Sequence, residues 1–242
     1  MHKAKAKNYT NRRIRAVILD FDGVVIDSLP KALEVWGYAF KEFNITNVKL
    51  DKDFFESDYI AMAEKLNISK HNLRKLEKLY YETKTPVYLF KGIKLILNRL
   101  SKKYKLALVS NSHTRWLRKR LREYSLLKYF NTVIGIRNGI RLKPHPDMIH
   151  LALKKLKAKP EETVFIGDME GDILAGKAAK VFVMGASYGF HTHIKLRGAD
   201  IIIDSQHEII PTIKKIEKGL LKVSNKERYL VNNVSNKVTW EK

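Results

Sequence analysis

The chain of 242 residues contains no cysteine, which excludes disulfide bonds, thiolate nucleophiles and cysteine-ligated metal sites. It also lacks any apolar run approaching the roughly 18 residues that a membrane-spanning helix needs. The first residues, MHKAKAKNYTNRRIRAV, hold no apolar segment of the kind found in secretory signals. We therefore expect a cytoplasmic protein that makes no use of a membrane.

Acidic residues are few relative to basic ones, 25 against 47, so the formal net charge is +22. The sequence predicts a basic N-terminal arm over residues 1–14 and a basic C-terminal extension over 214–242. The chain between them also carries an excess of positive charge. A field of this sign attracts anions, which include both small phosphorylated molecules and nucleic acid.

Short apolar runs rich in valine and isoleucine predict buried strands. They are Ala16–Leu19, Lys105–Val109, Thr132–Ile136, Thr163–Ile166, Val181–Met184 and Ile201–Ile203. Amphipathic segments between these runs predict helices, at Gly92–Lys102, Thr114–Tyr124, Asp147–Leu156 and Gly171–Ala179. Alternation of strands with helices predicts an α/β fold with a parallel sheet flanked by helices.

The interval from Leu29 to Phe90 breaks this alternation, because it contains no strand pattern. Three segments with helical periodicity occupy it instead: PKALEVWGYAFKEF, DKDFFESDYIAMAEKLN and SKHNLRKLEKLYYE. We predict a small all-helical cap over residues 29–90, inserted after the first strand. The sheet domain is then expected to consist of residues 15–28 and 91–213.

Polar residues stand just after the predicted strands or just before a helix. Ligands of open parallel sheets bind beyond the carboxyl ends of the strands, so we expect these side chains to converge at one edge. The candidates are Asp20, Asp22 and Gly23 after the first strand, Ser110 and Asn111 after the second, Lys143 before a helix, and Asp168 and Asp172 after the fourth.

This set of side chains suits phosphoryl transfer. Several carboxylates around one point form a site for Mg²⁺, which also offsets the repulsion between neighbouring carboxylates. One carboxylate can attack phosphorus to give an aspartyl phosphate, and a second can act as general acid and base. Lys143, Ser110 and backbone amides near Gly23 can neutralise charge on the phosphoryl oxygens.

Four motifs, DFDGVVIDS, LALVSNS, RLKPHPD and VFIGDMEGDILAGKAAK, resemble in order and spacing those of the haloacid dehalogenase-like (HAD) hydrolases. The resemblance covers about residues 15–210. It implies a Rossmann-like core with a helical cap. DSLPKAL and the helical cap are similar to the phosphoglycolate phosphatase-like and β-phosphoglucomutase-like branch of that superfamily.

The resemblance also implies a role for each candidate residue. Asp20 is the expected nucleophile and a metal ligand. Asp22 is the expected general acid and base, and it binds metal through its main-chain carbonyl. The implied phosphate-binding residues are Gly23, Ser110, Asn111 and Lys143. Asp168 is expected to ligate Mg²⁺, and Asp172 to orient a metal-bound water or Lys143.

These observations predict an Mg²⁺-dependent phosphatase that acts on a small phosphorylated metabolite such as phosphoglycolate. The second aspartate of the first motif, Asp22, favours phosphoryl transfer over carbon–halogen cleavage within the superfamily. A phosphomutase of the β-phosphoglucomutase type is the enzymatic alternative. A nucleic-acid-binding protein on the same scaffold is a further alternative, suggested by the two basic ends and by the helix TRWLRKRLREY.

Overall fold

The computed structural model describes residues 13–56 and 59–221, apart from the side chains at positions 60, 61 and 81. Residues 1–12 of the predicted basic arm and residues 222–242 of the predicted C-terminal extension lie outside the described residues.

A parallel sheet of six strands forms the centre of the molecule, as the α/β prediction requires. Its strand order is β5-β4-β1-β6-β7-β8, and every adjacent pair is parallel. Two further short strands, β2 and β3, form an antiparallel pair of their own. The strands are β1 (Ala16–Leu19), β2 (Ile26–Asp27), β3 (Tyr88–Leu89), β4 (Lys105–His113), β5 (Thr132–Ile136), β6 (Thr163–Gly167), β7 (Phe182–Ala186) and β8 (Ile201–Ile203).

Helices cover both faces of this sheet and form the inserted segment. In chain order they are α1 (Leu29–Glu42), α2 (Tyr59–Lys65), α3 (Lys70–Glu82), α4 (Ile93–Ser101), α5 (Thr114–Glu123), α6 (Asp147–Leu156), α7 (Glu170–Ala178), α8 (His193–Leu196) and α9 (Ile209–Glu217). Helix α9 continues past the core boundary predicted at residue 213, and Ile216 near its end is fully buried. Among the described residues, no helix combines the length and the apolar character that a membrane crossing needs.

The central strand β1 is covered by apolar side chains on both faces of the sheet. All four of its residues are inaccessible to solvent. Side chains alternate across a strand, so Val17 and Leu19 pack into one apolar cluster while Ala16 and Ile18 pack into the other. This is the reason that the strand reads as a continuous apolar run rather than as an alternating one.

The helical segment between β2 and β3 packs around a separate apolar cluster. Its first and third helices lie close to the sequence prediction. The second is shorter than predicted, because Tyr59–Lys65 is the helical part of the described residues in the segment DKDFFESDYIAMAEKLN. Residues that precede helix α2 contact the sheet domain. The carboxylate of Asp53 accepts hydrogen bonds from the backbone N–H and the hydroxyl of Thr192.

The prediction that Leu29–Phe90 contains no strand is also corrected. Tyr88–Leu89 pairs antiparallel with Ile26–Asp27, so a two-residue ribbon closes the base of the helical insert. A strand of two residues shows no periodicity, which is why the sequence pattern did not reveal it. Strand β4 is longer than predicted as well, and it carries Ser110 and Asn111 near its carboxyl end, where its register with β5 shifts.

Candidate active site

Three aspartates from two neighbouring strand ends meet at the carboxyl edge of the sheet. The backbone N–H of Asp20 donates to the carbonyl of Ile166 at 2.9 Å, which extends the β1–β6 pairing by one residue. Asp168 follows β6, and Asp172 lies in the first turn of α7. One carboxylate oxygen from each of the three aspartates lies within 4.8 Å of the other two. The convergence predicted for these residues is therefore present.

Lys143 places its ammonium group among these carboxylates. Its Nζ lies 2.9 Å from Asp20 Oδ1 and 2.6 Å from Asp172 Oδ1, and its side chain is only 3% exposed. Asn111 holds the backbone of the lysine in place through two hydrogen bonds. Its Nδ2 donates to the Lys143 carbonyl at 2.9 Å, and its Oδ1 accepts from the Lys143 N–H at 3.0 Å. The amide of Asn111 thus acts on the lysine as a positioning group.

Burial and mutual repulsion set the protonation behaviour of the cluster. Burial raises the pKa of Asp20 to about 7, although the attraction of Lys143 opposes this rise. Burial, followed by repulsion from Asp172 and Asp20, raises the pKa of Asp168 well above its usual value. Burial acts to lower the pKa of Lys143, but attraction to Asp172 and Asp20 outweighs it and raises that pKa. Among the described residues, the cation that acts on these three buried carboxylates is therefore Lys143.

The cluster fits a divalent cation. Oδ1 of Asp168 is buried and has no hydrogen-bond partner among the described residues. Such an oxygen would carry a large desolvation cost unless a cation or proton neutralised it. The donors are all carboxylate oxygens, which Mg²⁺ prefers, and the excess of negative over positive charge points the same way. Both oxygens of Asp172 already have partners. Its Oδ1 pairs with Lys143, and its Oδ2 accepts from the Asp168 and Met169 N–H groups. Asp20 and Asp168 are therefore the residues that would hold the ion.

Asp22 lies beside this cluster but in a different environment. It is partly exposed and lines a cavity between the sheet domain and the helical insert. The hydroxyl of Ser28 donates to Asp22 Oδ1 at 2.7 Å. Burial raises the pKa of Asp22, while the Ser28 hydrogen bond lowers it. A carboxyl group with a raised pKa that faces a cavity can donate a proton to a ligand there.

Ser110 is buried, and its Oγ accepts a hydrogen bond from the Ser112 backbone N–H at 3.2 Å. The hydroxyl hydrogen is left to donate elsewhere, as a phosphate-binding serine requires.

Gly23 also has a structural role in its turn. Its own N–H donates to the Ile26 carbonyl at 2.8 Å, and phosphate binding by the backbone amides near it stays a prediction. The residue has a φ of +71°, and a Cβ at this position would lie 1.8 Å from Oδ2 of Asp168. Glycine is needed here because the backbone approaches the Asp168 carboxylate closely.

Two further residues of the site follow β7, and the sequence pattern did not assign them to it because that stretch carries no acidic residue. The backbone N–H of Phe190 donates to Asp168 Oδ2 at 2.7 Å, and its ring packs edge-on against Phe55 of the insert. The buried His191 accepts from the Glu170 N–H through Nδ1 and bonds the Phe55 carbonyl through Nε2. The segment YGFHTH after β7, with its glycine and two histidines, was the available signal.

Comparison with known proteins agrees with this geometry. Residues 17–186 match the family model described as haloacid dehalogenase-like hydrolase. A phosphoglycolate phosphatase from Photorhabdus laumondii is 31% identical over 216 residues, covering 83% of this chain and 92% of the relative. A phosphoglycolate phosphatase from Escherichia coli is 28% identical over 233 residues, with the same two coverages, 83% and 92%.

Solved structures share the fold. A haloacid dehalogenase-like family protein from Streptococcus pneumoniae superposes with a TM-score of 0.71 at 23% identity, covering 83% of this chain and 99% of that one. A candidate β-phosphoglucomutase from Bacteroides vulgatus gives a TM-score of 0.72 at 21% identity, covering 88% of this chain and 92% of that one. Since the family model spans most of the sheet domain and the whole helical insert, the chain belongs to the haloacid dehalogenase-like hydrolases.

Proposed function

We propose that the protein is an Mg²⁺-dependent phosphatase that hydrolyses a small phosphorylated metabolite through an aspartyl phosphate on Asp20. The observation that carries the proposal is the meeting of Asp20, Asp168 and Asp172, with Lys143 paired to Asp20 and Asp22 facing the adjoining cavity. The membership in a hydrolase family and the similarity to curated phosphatases support a phosphatase in particular.

Asp20 would attack phosphorus with a carboxylate oxygen. As the new O–P bond forms, the bond from phosphorus to the leaving oxygen breaks, and Asp22 gives that oxygen its proton. Lys143, held by Asn111 and by Asp172, neutralises charge on the phosphoryl oxygens, and Ser110 donates to one of them. Bound Mg²⁺ would supply charge neutralisation between the nucleophile and the phosphoryl group.

The second half of the reaction returns the enzyme to its starting state. Asp22, now a carboxylate, takes a proton from a water molecule that attacks phosphorus. The bond between phosphorus and the Asp20 oxygen breaks, which releases inorganic phosphate. Asp22 is protonated again and Asp20 is again a free carboxylate, so atoms and charges balance over the cycle.

The names of the curated relatives make phosphoglycolate the first natural substrate to test. A phosphomutase would use the same intermediate, but a hydroxyl of the bound phosphosugar, rather than water, would take the phosphoryl group. Phosphorus NMR with β-glucose 1-phosphate separates the two fates. A phosphatase releases inorganic phosphate, whereas a mutase accumulates glucose 6-phosphate.

The test of the phosphatase proposal uses p-nitrophenyl phosphate, whose hydrolysis is followed by colour. We expect turnover with Mg²⁺, none with excess EDTA, and recovery when Mg²⁺ is restored. Asp20→Asn should abolish turnover while leaving the circular dichroism spectrum unchanged. Asp27→Asn, in strand β2, is the matched control and should remain active. Turnover that survives both EDTA and Asp20→Asn would refute the mechanism.

A further inference from the structure

A cavity of about 360 Å³ lies between the sheet domain and the helical insert. Asp22 and Ser28 line it on the side of the sheet domain, and helices α1 and α3 line it on the side of the insert. This volume falls in the range of roughly 300–1,000 Å³ that is usual for clefts binding small organic molecules. The cavity is therefore large enough for a substrate part of substantial size.

This cavity is the place for the leaving group, an assignment that rests on the proposed function. Asp22 is the group proposed to protonate the leaving oxygen, so that oxygen has to lie within hydrogen-bond reach of its carboxyl group. Because Asp22 lines the cavity, the alcohol attached to that oxygen extends into it. The chemistry of the walls consequently selects the alcohol.

Aromatic and aliphatic side chains supply most of these walls. Trp36, Tyr80, Trp116 and Phe190 provide rings, and helix α3 adds aliphatic surface. Rings of this kind favour a planar apolar ligand part through stacked or edge-on contacts. Phosphoglycolate offers these rings only a single methylene group.

The charged groups along the cavity disfavour an acidic leaving group. Glu77 of α3 lines it and accepts a hydrogen bond from the Tyr59 hydroxyl at 2.7 Å. Among the described residues lining this cavity, none is a lysine or an arginine. A carboxylate entering it, such as that of glycolate, would lose water without gaining a cation as partner.

Two cations do lie nearby, but they are engaged elsewhere. Lys31 and Arg120 line a smaller cavity of about 100 Å³ that shares Tyr80 and Trp116 with the first. Lys31 Nζ donates to the Thr83 carbonyl at 3.0 Å. Arg120 pairs with Glu123 at 2.9 Å and donates to the Tyr124 hydroxyl at 2.8 Å. Neither residue lines the leaving-group cavity, although the positive charge of Arg120 lowers the pKa of Asp22 at its edge.

We infer that the preferred substrates are phosphomonoesters of apolar, ring-bearing alcohols that carry no negative charge of their own. The substrate class therefore differs from the one named for the curated relatives, although the phosphoryl chemistry is the same. The rings select the leaving group by contact area. Glu77, together with the absence of a lysine or an arginine from the described wall, disfavours acids.

The test compares benzyl phosphate, 4-carboxybenzyl phosphate and 2-phosphoglycolate with Mg²⁺. All three are esters of primary alcohols, so their intrinsic reactivities are similar and differences in kcat/KM report recognition. We expect benzyl phosphate to exceed both others by about tenfold or more, the scale that a well-filled apolar pocket provides. Asp20-dependent hydrolysis in which phosphoglycolate equals or exceeds benzyl phosphate would overturn the inference and leave the phosphatase proposal standing. Hydrolysis of none of the three nor of p-nitrophenyl phosphate would overturn both.

A charge reversal at the cavity wall distinguishes selection by the wall from an effect of the overall positive charge of the chain. Because Glu77→Lys introduces a cation at the wall, it should shift the ratio of the two kcat/KM values by about tenfold, in favour of the carboxybenzyl ester over benzyl phosphate. Glu64→Lys makes the same change in charge at an exposed position of α2 that does not line the cavity. It should leave the ratio unchanged. An equal response to both variants, or to neither, would contradict the assignment of the leaving-group cavity.

Discussion

Lys143 Nζ lies 2.6 Å from Asp172 Oδ1 in the interior of the protein. Both side chains are nearly inaccessible, at 3% and 1% exposure. A buried ion pair adds little net stability, because the loss of hydration offsets most of the attraction. The pair is better explained by position, since Asp172 holds the lysine where the ammonium also reaches Asp20.

Replacing Lys143 tests this explanation. Lys143→Met removes the described cation of the cluster and leaves the carboxylates of Asp20 and Asp172 without their partner. We expect a loss of stability of about 3–5 kcal/mol, typical for breaking a buried pair on one side, measured by urea unfolding without metal. Turnover of p-nitrophenyl phosphate should fall by at least about a hundredfold. Lys154→Met, on helix α6, serves as the control and should show neither effect. A stable and active Lys143→Met protein would contradict the role of the ammonium group.

Substituting two glycines with similar φ angles distinguishes the cost of a steric contact from the cost of backbone strain. Gly23 has a φ of +71° and Gly139 a φ of +76°, but only at Gly23 would a Cβ meet Asp168, whereas nothing lies within 4 Å of a Cβ at Gly139. Gly139→Ala should cost about 1–2 kcal/mol of stability through its left-handed conformation and leave activity intact. Gly23→Ala should cost more and abolish turnover, because the Asp168 carboxylate has to move. Equal loss of stability and equal activity in the two variants would contradict the close approach.

Metal binding can be measured without turnover. If Mg²⁺ binds the folded protein at the aspartate cluster, a concentration one hundred times its Kd stabilises the protein by about 2.7 kcal/mol. We expect thermal unfolding to shift upward with Mg²⁺ in the native chain and to shift much less in Asp168→Asn. Without metal, Asp168→Asn should be at least as stable as the native chain, since it removes a buried carboxyl group with an unpaired oxygen. An unchanged Mg²⁺ shift in the variant would place the ion elsewhere.

The sequence predicted the sheet and its aspartates well because the relevant signals are local. An apolar run that ends directly in Asp20 indicates both a buried strand and its carboxyl end. The contacts of Phe190 and of residues 51–56 were not predictable in this way. They depend on the docking of the insert against the loop after β7, and residues that meet there lie far apart in sequence, as the 136 positions between Phe55 and His191 illustrate. The sequence pattern likewise did not predict that Arg120, in the helix TRWLRKRLREY, packs over the rings of Trp116 and Tyr124.

His191 links the insert to the aspartate cluster and should make stability depend on pH. Its Nδ1 accepts from the Glu170 N–H at 2.9 Å, so the ring proton is on Nε2, which donates to the Phe55 carbonyl at 2.8 Å. Burial lowers the pKa of His191, and Lys195 acts in the same direction, whereas the Phe55 hydrogen bond, Asp53 and Asp172 oppose it. The unfolded chain then takes up a proton at a higher pH than the folded chain does.

The sign of the effect follows from that difference. As pH falls through about 6.5, the ordinary histidine value, the unfolded state is stabilised by protonation and the folded state is not, so the free energy of unfolding decreases. His191→Phe should lower stability at pH 7.5, because it leaves the Glu170 N–H and the Phe55 carbonyl unpaired at about 1–3 kcal/mol each. It should also flatten the pH dependence between pH 7 and the folded-state pKa, whereas His150→Phe, at an exposed position of α6, should not. Urea unfolding across this range measures both effects. An unaltered pH profile in His191→Phe would mean that the ring is not held neutral by its burial between the insert and the loop after β7.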